Sequence, residues 1–184
     1  MMAGATVDRH INSLFSSCAY RVGGCLLDPG DEWEGFADVE AILLTHSHFD
    51  HIYGVDRVLE LNPGAMVYTN ELGREMLLSD KLNLSRYHET PYVCRYPERI
   101  RIVEDGEILR FGELEAEVLF TPGHSGSCVT WLIGDALFSG DSWIPGVKTV
   151  VNLPGADKAL AKASEERIRS LAADLRLFPG HYVD

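Results

Sequence analysis

Residues 45–51, Thr45-His46-Ser47-His48-Phe49-Asp50-His51, place four potential metal ligands within six consecutive positions. The run just before them, Val39-Glu40-Ala41-Ile42-Leu43-Leu44, is short, apolar and partly β-branched, which predicts a buried strand. The histidines therefore leave the end of a strand. In extended backbone His46 and His48 point the same way, because side chains alternate with period two, and both can reach one ion. Asp50 and His51 open a stretch, Ile52 to Leu61, whose apolar residues recur at helical spacing. They are expected in the first turn of that helix, aimed at a second point nearby, with Asp50 also suited to cap it. A solvated, histidine-rich loop is the bland alternative, and ligand spacing of His and Asp argues against it.

Length and composition bound the rest. With 184 residues, 46% of them hydrophobic, the chain is expected to form one domain, residues 1–184, around a sizeable core. It contains no run of about eighteen apolar residues, so no membrane span is expected. Asp8, Arg9 and His10 interrupt the region where an export signal would be apolar, which points to a cytoplasmic location. A formal net charge of −12 argues against nucleic acid, whose binding rests on Lys and Arg neutralising phosphates. A small-molecule substrate fits better, since a metal can reverse the sign of one pocket in an acidic protein. Cys18, Cys25, Cys94 and Cys128 form no CxxC pair and read as buried thiols. Oligomeric state is left open.

Along the chain, Ala19 to Val22, Gly23-Gly24 and Cys25 to Asp28 read as a hairpin with a tight glycine turn. Asp28 is either a turn residue or a support for the metal ligands. Ala65 to Tyr68 is a predicted strand and Asn70 to Leu78 a helix, capped by Thr69 or Asn70. Ser79 to Glu98 lacks periodicity; a long irregular connection of this kind suggests a lid over the site. His88, within it, is a pocket residue or an exposed loop histidine. Five segments from Arg101 to Phe138 then read as a meander of strands, with turns at Asp105-Gly106, Phe111-Gly112 and Gly134-Asp135. Ala156 to Ala173 follows as a helix with an apolar stripe at Leu160, Ala163, Ile168 and Leu171, and Leu175 to Phe178 is the last strand.

Three further signals sit at strand ends: Thr121-Pro122-Gly123-His124-Ser125, Phe138-Ser139-Gly140-Asp141 and Pro179-Gly180-His181. Each puts one His or Asp just past a buried strand, after a glycine that permits close backbone approach. With these in place the chain resembles the metallo-β-lactamase superfamily over nearly its whole length. That family's pattern is HxHxDH, then Gly-His, then an Asp after a strand, then a last His. The resemblance implies an α+β fold, a four-layer αββα sandwich with metals at one edge between two sheets. It implies that His46, His48 and His124 hold one metal, that Asp50, His51 and His181 hold the other, and that Asp141 bridges them.

Within the family, His51 and Asp141 resemble the glyoxalase II branch, since the best-known β-lactamases place a cysteine where Asp141 stands. The chain stops three residues after His181, short of the helical domain with which glyoxalase II grips glutathione. The resemblance implies a binuclear zinc hydrolase, with iron or manganese as alternatives, in which a metal-bridging hydroxide cleaves a thioester, lactone or ester. Asp50 would orient that hydroxide and take its proton. Two divalent ions, two carboxylates and hydroxide sum to about +1, which favours an anionic substrate. Lys148 is expected to bind a carboxylate or to be a solvated surface lysine. Trp143 and Tyr182 would line the pocket, Tyr182 as an oxyanion donor, or serve packing. The alternatives are a mononuclear-iron sulfur dioxygenase acting on persulfides, a phosphodiesterase, and a metal-binding module without catalysis.

Overall fold

The structure, a computed structural model, describes residues 4–184. The first sheet has six strands, β1 (Asp8–Ile11), β2 (Cys18–Val22), β3 (Cys25–Leu27), β4 (Ala41–Leu43), β5 (Met66–Thr69) and β6 (Ile100–Ile102), side by side in that order. Its first three strands are antiparallel. The glycine turn joins β2 to β3, with Gly23 at φ +53°, a conformation that costs an L side chain about 1–2 kcal/mol. From β3 to β6 the pairing is parallel, which requires crossovers. Helix α1 (Val55–Leu61) supplies the one between β4 and β5, and α2 (Glu71–Leu77) lies between β5 and β6. The Asn70 side chain caps α2 by accepting from Gly73 N at 2.8 Å.

The second sheet runs in the order β11 (Arg176–Pro179), β10 (Ala136–Gly140), β9 (Val129–Ile133), β8 (Leu114–Phe120) and β7 (Ile108–Phe111). Alternation along the strands sorts the side chains into layers. Tyr20, Leu27 and Leu43 meet Val118, Trp131 and Phe138 between the sheets. Leu26, Ile42 and Val67 face the other way, against Val55, Val58 and Leu77 of the first two helices. Leu119 and Leu137 pack against Ile168 of α3 (Lys158–Ala172) on the far side. The molecule is an α+β sandwich of helix, sheet, sheet and helix.

Several expectations are corrected. The segment at Arg101 does not join the meander: β6 pairs with β5 in the first sheet, at register Tyr68 with Arg101. Strand β1 was not anticipated, because its exposed DRHI sequence carries no apolar alternation. Asp50 and His51 do not begin α1. They form a separate 3-10 turn, Phe49–His51, whose first position lacks a side-chain cap, and α1 starts four residues later. The stripe of α3 is also shifted. Ala161, Ser164 and Ile168 are buried while Leu160 is 47% exposed. The cause is the loop before His124: Ser164 Oγ donates to Pro122 O at 2.6 Å, and a Cβ on Gly123 would lie 2.1 Å from Ala161 N. Only small side chains fit beneath so close a backbone.

Ser79 to Glu98 is an ordered segment. The Asn83 amide donates to Met76 O and Tyr92 O at 3.0 Å each, and the Tyr92 hydroxyl donates to Asp56 at 2.9 Å. All four cysteines are buried and free, and burial pushes the Cys25 and Cys128 thiols up to about 12.

Candidate metal centre

Strands β3 and β4 are parallel, and β8, β10 and β11 share one direction in the second sheet. Their carboxyl ends meet at one edge of the sandwich. From β3 comes Asp28, from β4 the stretch Thr45 to His51, from β8 His124, from β10 Asp141 and from β11 His181. The two sheets are stitched together there: Cys18 N donates to Gly180 O at 2.8 Å and Tyr182 N to Ser16 O at 2.9 Å. Gly180 is needed at this seam, since a Cβ would lie 2.2 Å from Asp141 Oδ1 and 2.7 Å from the Gly140 carbonyl carbon.

All seven predicted ligands converge. His46, His48 and His124 form one triad and Asp50, His51 and His181 a second, each with its donor atoms within 4.8 Å of one another. Asp141 stands between them, with Oδ2 at 3.1 Å from His181, 3.5 Å from His124 and 3.7 Å from His46, and Oδ1 at 3.4 Å from His51. Asp28, His46 and His51 also have donor atoms within 4.8 Å of one another. Asp28 is nonetheless occupied: it accepts from Thr45 N at 2.8 Å, from the Thr45 hydroxyl at 2.5 Å and from His51 Nδ1 at 3.1 Å. It is a supporting group.

Those outer hydrogen bonds set the tautomers. His51 Nδ1 donates to Asp28, and His46 Nδ1 to Thr45 Oγ1 at 3.2 Å. His124 Nδ1 donates to Val150 O and His181 Nδ1 to Phe15 O, each at 2.9 Å. Four Nε2 lone pairs are thus left facing the centre. His48 turns the other nitrogen inward, with Nδ1 3.1 Å from His124 Nε2. His46 Nε2 and Asp141 Oδ1 are buried and have no hydrogen-bond partner. Buried lone pairs facing one another require a cation between them, so the donor set fits metal ions.

Charge distribution says the same. Burial, followed by the neighbouring histidines, holds His46 well below the usual imidazole value; burial and His124 bring His48 down to about 4. Burial also works against charging His51 and His181, but Asp50 and Asp141 outweigh it, raising His51 and lifting His181 to about 10. The reciprocal effect of the histidines overcomes burial at Asp50 and Asp141 and keeps both carboxyls ionised. Protons stand in for positive charge at the second triad.

The remaining predicted residues separate. Lys148 lies on the wall of a cavity of about 190 Å³ floored by His124, Asp141 and His181. Ile144, Val147 and Val150 complete that wall, and no residue of Ser79 to Glu98 is among the lining. The segment expected as a lid instead packs against the ligand motif from outside, Phe49 N donating to Asn83 O at 3.0 Å. His88 stacks on Phe49 at 5.0 Å. Trp143 packs in the cluster of Leu137 and Ile168, under the Arg169 guanidinium, and does not line the cavity. Tyr182, 40% exposed, turns into an adjoining recess beneath Arg9. Thr45 was missed entirely. Its only signal in the sequence is adjacency to His46.

A family model, that of the metallo-beta-lactamase superfamily, matches residues 34–181 and so includes all seven converging side chains, though not Asp28 or Tyr182. The chain belongs to the metallo-β-lactamase superfamily. Among its members, a hydroxyacylglutathione hydrolase of Francisella philomiragia is 32% identical over 148 residues, covering 78% of this chain and 49% of that protein. The chain spans a third to a half of the length of the curated relatives it first matches. Among solved structures, the BLEG-1 B3 metallo-β-lactamase is 27% identical with a TM-score of 0.82, over 97% of this chain and 92% of that one. A protein crystallised in a di-iron-bound form is 31% identical with a TM-score of 0.80, over 96% of this chain and 92% of that one. Metal binding is the normal property of this superfamily, and the His and Asp clusters described above are consistent with it. Among the described residues no helix is long and apolar enough to cross a membrane.

Proposed function

We propose that the chain is a metal-dependent hydrolase of glyoxalase II-like character, holding two divalent ions, zinc by preference, and cleaving a small anionic acyl substrate, a thioester before a lactone or ester. The observation that carries this reading is the pair of triads with Asp141 between them, their lone pairs turned inward by fixed tautomers. When bound, such a pair of ions supplies a water acidified toward neutral pH and polarises the acyl oxygen.

His46, His48 and His124 would hold one ion, and Asp50, His51 and His181 the other. Asp50, ionised and 3.3 Å from His181 in the second triad, would orient the attacking water and accept its proton. Lys148 receives the anionic end of the acyl group, and Ile144, Val147 and Val150 exclude water along one wall. Tyr182 lines the neighbouring recess next to His181, from where its hydroxyl is the candidate donor to the developing oxyanion. A 31% identical protein in a di-iron-bound form supports iron as the alternative metal, and iron, as a single ion, is what the sulfur dioxygenase reading requires. That chemistry needs one triad only, and the presence of a complete second triad favours hydrolysis.

The test is metal content on protein purified without added metal, followed by a screen of acyl thioesters and lactones. About two zinc per chain with thioester turnover is the expected result. About one iron per chain, with oxygen uptake on a persulfide and no hydrolysis, overturns it in favour of the dioxygenase.

A further inference from the structure

The recess that receives Tyr182 has a volume of about 200 Å³ and is lined by Arg9, Tyr20 and Pro179 as well as by Ile144, His181 and Val183. The last three also line the cavity over the metal centre. The two spaces therefore adjoin across one wall that contains His181, as two arms beside the metal centre. Lys148 stands in one arm. In the other stands Arg9, opposite Tyr20 in the β1–β2 register, its guanidinium 4.8 Å from the Tyr182 ring centroid.

Arg9 differs from most arginines of this acidic chain. Arg57, Arg86, Arg95, Arg101 and Arg176 close on carboxylates, and Arg21 and Arg99 donate to backbone carbonyls. Among the described residues Arg9 has neither kind of partner, only an aromatic face that fixes the plane of the fork and leaves its donors free. A planar cation held against a ring, beside a recess one residue from a metal-site histidine, has the geometry for a bidentate carboxylate contact.

Resting on the hydrolase reading above, we propose that Arg9 is a specificity-determining residue: with Tyr182 it receives a carboxylate at the far end of the substrate, so that preferred substrates carry an anionic tail a few bonds from the scissile carbonyl. The tail could belong to the acyl half or to the thiol half, since the same chemistry serves either.

Two series decide it on the metal-loaded protein. In one, acetyl thioesters of ω-mercapto acids are compared with the matching ω-mercapto amides. In the other, half-thioesters of dicarboxylic acids are compared with their amides. The readout is the ratio of kcat/KM for acid over amide. For one series this ratio is expected to fall about tenfold in Arg9→Gln through KM, the size of one lost charge-assisted contact, and to recover partly in Arg9→Lys. The series that responds identifies the half that carries the tail. An acid-over-amide ratio unchanged by Arg9→Gln in both series overturns the proposal. Should neither series be hydrolysed, the hydrolase reading fails separately. Binding of the thioether analogues of the same acids and amides, followed by calorimetry on wild type and Arg9→Gln, then decides the Arg9 contact alone: equal affinity for acid and amide, or an acid preference that survives the substitution, overturns it.

Discussion

Asp28 and Thr45 decide which nitrogen of His51 and His46 faces the centre. Asp28 does so from φ +49°, a left-handed conformation that an aspartate tolerates better than most residues. Replacing Thr45 by Val removes the acceptor for His46 Nδ1 and one of the three hydrogen bonds to Asp28. Metal affinity is expected to fall about 10–100-fold with unchanged circular dichroism, and Thr45→Ser should recover it. Competition against a chromophoric chelator at fixed pH measures both. Lys148→Ala is expected to raise KM for an anionic acyl substrate while leaving metal content as it was; equal kinetics in the two proteins would remove Lys148 from substrate binding. The seven converging side chains were legible in the sequence because ligand chemistry is written in spacing, with each site just beyond a strand. Of their supports only Asp28 was, as one of two readings. The acceptors for His124 and His181 are the carbonyls of Val150 and Phe15, and a backbone carbonyl has no signature in a sequence.

At the scale of elements, apolar runs announced most strands, whereas partners and faces depended on neighbours distant in the chain. The segment at Arg101 reads like the strands that follow it, and only pairing assigns it to the other sheet. Helix α3 shows the same limit, because its inner face is chosen by the room left under Pro122 and Gly123 and not by hydrophobicity. This has measurable consequences in urea unfolding. Ile168→Ala should destabilise by about 2–5 kcal/mol, whereas Leu160→Gln should stay within about 0.5 kcal/mol although both residues are large and apolar. Asp157 caps the helix by accepting from Leu160 N at 2.9 Å, and Asp157→Ala should cost about 1 kcal/mol. At the opposite edge Arg176 pairs with Asp135, tying the start of β11 to the β9–β10 turn and bringing the Asp135 carboxyl down to about 2. That contribution is present above the ordinary carboxyl value and is lost as pH falls from about 4 through about 2. Wild type should therefore lose more stability than Asp135→Asn across that interval, as read from unfolding midpoints at each pH.

For the molecule as a whole, the centre gathers three carboxylates and five imidazoles at the seam of two sheets, and a cation bound there holds the sheets together. Chelation should lower the thermal midpoint, and metal at a hundred times its dissociation constant should restore about 2.7 kcal/mol of stability. Scanning calorimetry with and without chelator measures the difference, and identical midpoints would mean that the seam is complete without an ion. The layered architecture itself could be anticipated through family resemblance, but the sequence pattern alone indicated only a mixture of strands and helices. The stitching of Ser16 and Cys18 to Gly180 and Tyr182 also bears on how the protein is made. His181 follows every other ligand in the chain, and it docks beside a hairpin whose start, Ser16 to Cys18, precedes all of them. A nascent chain on the ribosome can present His46, His48 and His124 long before the second triad exists. On the two-ion reading proposed above, the first triad is complete in chain order before the last ligand of the second, so the two sites need not fill at the same time.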